Sequence, residues 1–164
     1  MEKSYLVVSL TLALCFSSIL GYAYAGMMMV EGKVYCDNCR VEFETSLTQF
    51  IAGAKVRLEC RARSNGTMTY EIDGLTDSTG TYHLPVSGDH EDEICEVKAV
   101  KSSRPDCSEQ FKGDVPARIL LTRNVGMVGK SRYANPVGFM TKEPHPDCTK
   151  VLEEMGFLPS EVEF

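Results

Sequence analysis

The chain has 164 residues, with 17 Lys and Arg against 23 Asp and Glu for a formal charge of −6, seven Cys and no Trp. That length suits one domain rather than two, burying about two-thirds of its unfolded surface. The acidic balance argues against a nucleic-acid binder, which needs a basic footprint, and against a polybasic membrane-surface protein. With 43% hydrophobic and 24% charged residues, the composition is neither that of a disordered chain nor that of a fibrous one.

At the N-terminus, Lys3 precedes an apolar run from Tyr5 to Leu20, which ends in Ala23-Tyr24-Ala25. A basic residue, a short apolar core and an Ala-x-Ala site together have the layout of a secretory signal. The expectation is that residues 1–25 are removed after Ala25, leaving 26–164 as one extracytoplasmic domain. The run is short for a bilayer span, and no second run approaches spanning length, so no membrane span is expected after cleavage.

Further along, period-two alternation of apolar and polar residues predicts strands. The first is Val30–Tyr35. Lys55–Arg61 alternates without a break, with Val56, Leu58 and Cys60 on one face. Thr69–Asp73 places Tyr70 and Ile72 inward, Thr81–Val86 places Tyr82, Leu84 and Val86 inward, and Cys95–Val100 aligns Cys95, Val97 and Ala99. Val115–Arg123, with Ile119, Leu120 and Leu121 in succession, predicts a strand buried on both sides in its middle. Val137–Thr141 completes a set of about seven strands. Turn residues separate them at Asn65-Gly66, Asp73-Gly74, Asp77–Gly80, Ser87–Asp89 and Ser102–Pro105. Many short strands with such turns predict an all-β fold, an antiparallel sandwich or barrel. Only the end reads as helix: Asp147 as cap, Cys148–Met155 as the body and Gly156 as the stop.

Signal cleavage would remove Cys15 and leave Cys36, Cys39, Cys60, Cys95, Cys107 and Cys148. An even set in a short secreted chain reads as three disulfides. Cys36-Asp-Asn-Cys39 follows a strand rather than opening a helix, which disfavours a redox motif, and no second close Cys or His pair supplies a zinc site. Cys60 and Cys95 share the phase of the apolar faces of their strands, so this is the one pairing that the strand patterns favour. The other two pairings stay open on these grounds.

The stretch Glu31-Gly-Lys-Val-Tyr-Cys-Asp-Asn-Cys-Arg40 resembles the signature of the olive-pollen major allergen family, Ole e I-like, also called pollen allergen/extensin-like. Gly53-Ala54, the Cys60 strand, Asn135-Pro136-Val-Gly-Phe139 and the remaining cysteine spacings are similar to that family as well, from about Val30 to Pro159. The resemblance implies a secreted plant protein, often from pollen, with a disulfide-bonded β-barrel or sandwich and no known enzymatic activity. It implies the pairs Cys36–Cys107, Cys39–Cys148 and Cys60–Cys95. Some members act in pollen-tube hydration and growth and are similar to ligands of extracellular receptor kinases. Others lie in the cell wall, fused to Pro-rich arms of the kind this chain lacks.

Among residues that could carry chemistry, Asn65-Gly66-Thr67 is an N-glycosylation sequon in an expected turn. His83, His90 and His145 are scattered and read as three solvated side chains rather than a metal site. Asp89–Glu93 lacks calcium-loop spacing and reads as a solvated acidic loop. No Gly-x-Ser-x-Gly elbow is present. Arg118, Arg123, Lys130 and Arg132 form a basic stretch around Gly126-Met-Val-Gly129, able to meet an acidic partner, although four cations over fifteen residues read first as ordinary surface charge at a hairpin.

The sequence therefore points to a secreted, non-enzymatic glycoprotein of pollen type, needing no cofactor and no metal. Its expected partner is an extracellular receptor protein, with a cell-wall polysaccharide as the alternative and protease inhibition through Ser102–Asp106 as a third. The absence of Trp weakens the polysaccharide reading, since such sites favour aromatic platforms.

Overall fold

The structure, a computed structural model, describes residues 27–113 and 115–157. The expected signal segment 1–25, its cleavage site and Cys15 lie outside the described residues, as does Pro159. Among the described residues, ten strands and one helix follow in chain order: β1 (Met27–Asp37), β2 (Gln49–Phe50), β3 (Lys55–Ala62), β4 (Met68–Leu75), β5 (Thr81–Ser87), β6 (Glu93–Lys101), β7 (Cys107–Glu109), β8 (Ala117–Ile119), β9 (Ser131–Tyr133), β10 (Val137–Thr141) and α1 (Cys148–Glu154). The protein is a mostly-β fold of two sheets with a short C-terminal helix.

The smaller sheet has the order β4-β3-β6-β8 and is antiparallel throughout. The larger is organised around β1. Its first half pairs with β5 and β9, and its second half with β2 and β10, beyond which lies β7. The facing sides enclose one core that includes Val30, Val34, Val56, Leu58, Tyr82, Leu84, Val86, Val97 and Phe139. Alternating positions of β3 and β5 enter this core with the phase that their sequences predict. Tyr70 and Ile72 of β4 have the right phase but are only half-buried, because β4 is the outer strand of its sheet.

Several expectations need correction. The sheet is not purely antiparallel: β9 and β10 both run parallel to β1. They form one interrupted ladder, whose register moves from Glu31↔Tyr133 to Val34↔Val137. Ala134, Asn135 and Pro136 thus oppose only Gly32 and Lys33, a bulge suited to a proline that cannot donate to the ladder. The expected strand Val115–Arg123 contracts to β8, and Leu120 is exposed (55%) rather than buried. β8 is the last strand of its sheet and only alternate residues reach the core, so three apolar residues in a row cannot all face it. The strands β2, β7 and β9, of two or three residues each, are too short to show a period. At α1, Asp147 occupies the cap position without a side-chain capping bond, its carboxylate lying 3.6 Å from His145, while Gly156 ends the helix at φ +79°.

The disulfides are Cys36–Cys107, Cys39–Cys148 and Cys60–Cys95, the three pairs that the resemblance implies. Cys60 and Cys95 are direct cross-strand partners on β3 and β6. Cys39 anchors α1, through Cys148, to the turn that follows β1.

Candidate binding face

The family-like signature from Glu31 to Arg40 proves to be scaffold. Asp37 is buried. It accepts hydrogen bonds from the backbone N–H of Cys39 (3.0 Å) and of Glu42 (2.6 Å), and so folds the turn. Arg40 and Glu42 in that turn hold left-handed conformations, φ 59° and 63°. The Asn38 amide donates to the Leu47 carbonyl at 2.5 Å, and the Asn38 carbonyl accepts from His145 N–H at 2.8 Å, just before α1. Each polar group here satisfies backbone that would otherwise be unpaired. The signature thus builds a corner with no convergent reactive groups.

The histidines do not share one environment. His83 and His145 are exposed, but His90 is buried, contrary to the solvated reading. Its Nδ1 lies 2.7 Å from Glu93 Oε2, its Nε2 3.1 Å from the Ser87 carbonyl, and its ring packs edge-on to Tyr70 at 5.0 Å. Ligand atoms of His90, Glu93, Cys60 and Cys95 fall within 4.8 Å of one another. The two sulfurs are joined in a disulfide, so the cluster offers an ion only His90 and Glu93, which already hold each other. Sequence reasoning missed this convergence because the residues meet only when β3 and β6 pair.

The acidic segment Asp89–Glu93 is likewise docked rather than free. His90 N–H donates to the Leu121 carbonyl at 2.8 Å, Asp89 accepts from Arg123 N–H at 3.2 Å, and Asn124 donates to Glu91 at 2.6 Å. The Thr122 hydroxyl, followed by the Arg123 backbone, holds the Asp89 carboxyl below the usual carboxylate range. This acidic loop braces the basic one.

The four cations of the basic stretch have different fates. Arg118 is exposed on β8, its Nε 3.9 Å from Glu96, its register partner on β6. Arg123 and Lys130 are exposed. Arg132 is 4% exposed, which overturns its reading as surface charge. Its guanidinium donates to the carbonyls of Gly129 (2.7 Å), Ser131 (3.1 Å) and Thr122 (3.0 Å), closing the 122–131 loop upon itself. Its Nε has no partner, and among the described residues no carboxylate pairs with it.

Around these cations stand exposed apolar side chains: Leu120 (55% exposed), expected from sequence to be buried, with Met127 (50%), Val128 (104%) and Tyr133 (74%), for which the sequence suggested no role. Two open grooves separate them. One, of about 240 Å³, is lined by Met27, Met28, Arg123, Met127, Lys130 and Arg132 among others. The other, of about 230 Å³, is lined by Arg118, Ile119, Leu120, Met127, Arg132 and Tyr133. Arg132 and Met127 belong to both. The only sequence signal for this face was the apolar pair Met127-Val128 held between two glycines, where a turn would ordinarily be polar.

A protein-family model described as Pollen protein Ole e 1 like matches residues 26–156. The chain belongs to that family. The Olee1-like protein of Betula pendula is 54% identical over 154 residues, which is 92% of this chain and 93% of that protein. The Anther-specific protein LAT52 of Solanum lycopersicum is 44% identical over 163 residues, 98% of this chain and 99% of its own. The crystal structure of the Major Plantain Pollen Allergen Pla l 1 aligns with a TM-score of 0.68 at 40% identity, covering 74% of this chain and 99% of that one. In this Ole e 1-like chain, the signature corner and the exposed β8–β9 face are separate: the first carries the Cys36–Cys107 and Cys39–Cys148 disulfides, the second a cluster of exposed apolar side chains.

Proposed function

We propose that this Ole e 1-like chain is a secreted, non-enzymatic glycoprotein of pollen that acts by binding a protein outside the cell, with the ectodomain of a receptor kinase in pollen-tube hydration or growth as the partner. The observation that carries the reading is the β8–β9 face, where Leu120, Met127, Val128 and Tyr133 stand exposed among cations. Contiguous apolar surface with a polar, charged border is the composition of protein interfaces, where burial of the apolar centre supplies the affinity. A polyanionic wall polysaccharide would leave those apolar groups uncovered, and of the four cations it would find Arg132 buried and Arg118 facing Glu96.

Secretion is supported by the signal-like residues 1–25 and by three disulfides, which persist in oxidising compartments. No helix among the described residues is long and apolar enough to cross a membrane. Asn65 is the glycan acceptor in this reading: it is exposed in the turn between β3 and β4, its side-chain oxygen accepting from Thr67 N–H at 3.0 Å. Against the inhibitor reading, Arg104 in the Ser102–Asp106 segment pairs with Asp106 (2.5 Å) and Gln49 (2.7 Å).

The test is binding of labelled, oxidised protein to pollen-tube surface material, half of it treated with protease beforehand. Saturable binding lost on proteolysis is the expected result. Binding that survives proteolysis and is displaced by soluble pectin would replace this reading with the polysaccharide one.

A further inference from the structure

Cys60, Cys95, His90 and Glu93 each place one potential ligand atom within 4.8 Å of the other three. Around a tetrahedral zinc, with bonds of about 2.0–2.3 Å, neighbouring ligand atoms stand about 3.3–3.8 Å apart. The four groups are thus gathered on the scale of a zinc centre, and the bond between the two sulfurs is what closes them to an ion. The backbone holds those sulfurs opposite each other independently of that bond. β3 and β6 pair from Lys55↔Lys101 to Ala62↔Glu93, with Cys60↔Cys95 inside the ladder. Glu93 and Cys95, two apart on β6, project from the same face. His90 N–H donates to the Leu121 carbonyl at 2.8 Å, which fixes the loop that carries the imidazole.

The imidazole is set as a ligand would be. His90 is 8% exposed, with Nε2 3.1 Å from the Ser87 carbonyl and Nδ1 2.7 Å from Glu93 Oε2. Both ring nitrogens face acceptors, and a neutral imidazole has a single N–H to give. With that proton on Nε2, donated to Ser87, the Nδ1 lone pair confronts the carboxylate. A cation there would turn two facing acceptors into two ligands. A carbonyl that fixes the tautomer from behind is the usual support of a zinc-bound histidine. Glu93 and Cys95 also form part of the wall of an open cavity of about 170 Å³, shared with Arg63, Arg118 and Leu120, so the buried group has a route to solvent.

We infer that Cys60, Cys95, His90 and Glu93 form a zinc site once a thiol reductant opens the Cys60–Cys95 bridge, so that the disulfide and a Zn²⁺ ion are alternative staples between β3 and β6. A dithiol supplies the two electrons: the Sγ–Sγ bond breaks, two thiols form, and the dithiol closes to its own disulfide. Zinc then takes both sulfurs as thiolates, releasing two protons, beside the imidazole and the carboxylate. Two thiolates select zinc over calcium or magnesium, which take oxygen ligands. Four protein ligands leave no open position, which is the pattern of a structural ion rather than a catalytic one.

In the experiment the full oxidised chain is reduced with dithiothreitol, freed of it under nitrogen, and titrated with Co²⁺ and then Zn²⁺. Iodoacetamide labelling, located by mass spectrometry, shows which thiols the metal shields. Glu93→Gln keeps the size of the side chain and removes a ligand, His90→Ala removes the imidazole, and Cys39→Ser/Cys148→Ser removes a bridge elsewhere. Circular dichroism of each oxidised variant checks that it folds. The expected result is one tetrahedral cobalt per chain with thiolate charge-transfer absorption, displaced by equimolar zinc and not by calcium. Zinc should shield Cys60 and Cys95 alone. Affinity should fall about tenfold or more in Glu93→Gln and in His90→Ala, and stay at the wild-type level in the Cys39→Ser/Cys148→Ser variant.

Zinc that shields Cys36 and Cys39 instead, or that binds both ligand variants as tightly as the wild type, would show ligation by cysteines of a loosened chain and overturn the site. A reduced chain that binds no cobalt would equally overturn it. So would one that loses its β-sheet circular dichroism and does not regain it with zinc.

Discussion

The phenol of Tyr82 occupies the space that a side chain on Gly32 would need. The two are register partners on β5 and β1, and a Cβ at position 32 would meet the Tyr82 hydroxyl and ring carbons. Tyr82 is fully buried and its hydroxyl has no hydrogen-bond partner, so burial pushes that phenol well above its usual range. The glycine of the signature is thus set by a tyrosine fifty residues away.

Gly32→Ala is expected to destabilise the fold by about 1–3 kcal/mol through overpacking. Tyr82→Phe removes the nearest of the atoms in the way, which is also an unsatisfied hydroxyl, but leaves the ring carbons, so alone it should be neutral or slightly stabilising. In the double variant the cost of the alanine should shrink. A urea-denaturation cycle checks this, and strictly additive effects would contradict the packing account.

Arg132→Met should loosen the 122–131 loop without unfolding the sheets. It removes donors from the Thr122, Gly129 and Ser131 carbonyls, at a cost of about 1–3 kcal/mol. Hydrogen exchange read by mass spectrometry should quicken in the peptides spanning 122–131 and hardly change in β3. Uniform quickening over the whole chain would instead make Arg132 a global support.

Removing Cys60 and Cys95 together should cost about 3–4 kcal/mol, and removing Cys39 and Cys148 slightly more. The closed loops span 35 and 109 residues, and the stabilisation grows slowly with loop length. Equilibrium unfolding of the two double variants gives the order. A reversed order would show that packing around Cys60–Cys95 outweighs chain entropy.

Stability should fall at acid pH through identifiable carboxylates. Asp73 is held below its usual range by hydrogen bonds from Arg57 and then Lys55, Asp77 by the Thr79 hydroxyl and then backbone N–H groups, and Asp89 by Thr122 and then Arg123. A depressed native carboxylate stabilises fully above its unfolded value, about 3.9, and loses that contribution as pH falls through the native value. The urea midpoint should therefore be flat from neutral pH to about 5 and drop below about 4. Asp89→Asn should reduce that drop, and an unchanged profile would remove Asp89 from the account.

Much of the fold is legible locally. Val56, Leu58 and Cys60 alternate so cleanly that β3 and its inward face follow from period two alone, and β5 follows in the same way. The same phase brought Cys60 and Cys95 to one side before any pairing was known. His90 reads as solvated from its acidic local sequence because its burial also needs Tyr70 and the Leu121 carbonyl, which come from distant segments. Leu120 was misread because three apolar residues in a row resemble a central strand, and only the sheet order shows that β8 is an edge.

By itself, the sequence determined the strand periods and the turns, because these depend on neighbours within a few residues, and its composition determined the acidic balance. Strand phase favoured Cys60–Cys95, and family resemblance supplied the other two cysteine pairs. Tertiary structure alone decided that β9 and β10 run parallel to β1, that Asp89–Glu93 braces the basic loop, and that Arg132 is buried while Val128 is bare. Those outcomes depend on contacts between segments as much as a hundred residues apart, and no local pattern of apolar and polar residues encodes which distant edge a segment will meet.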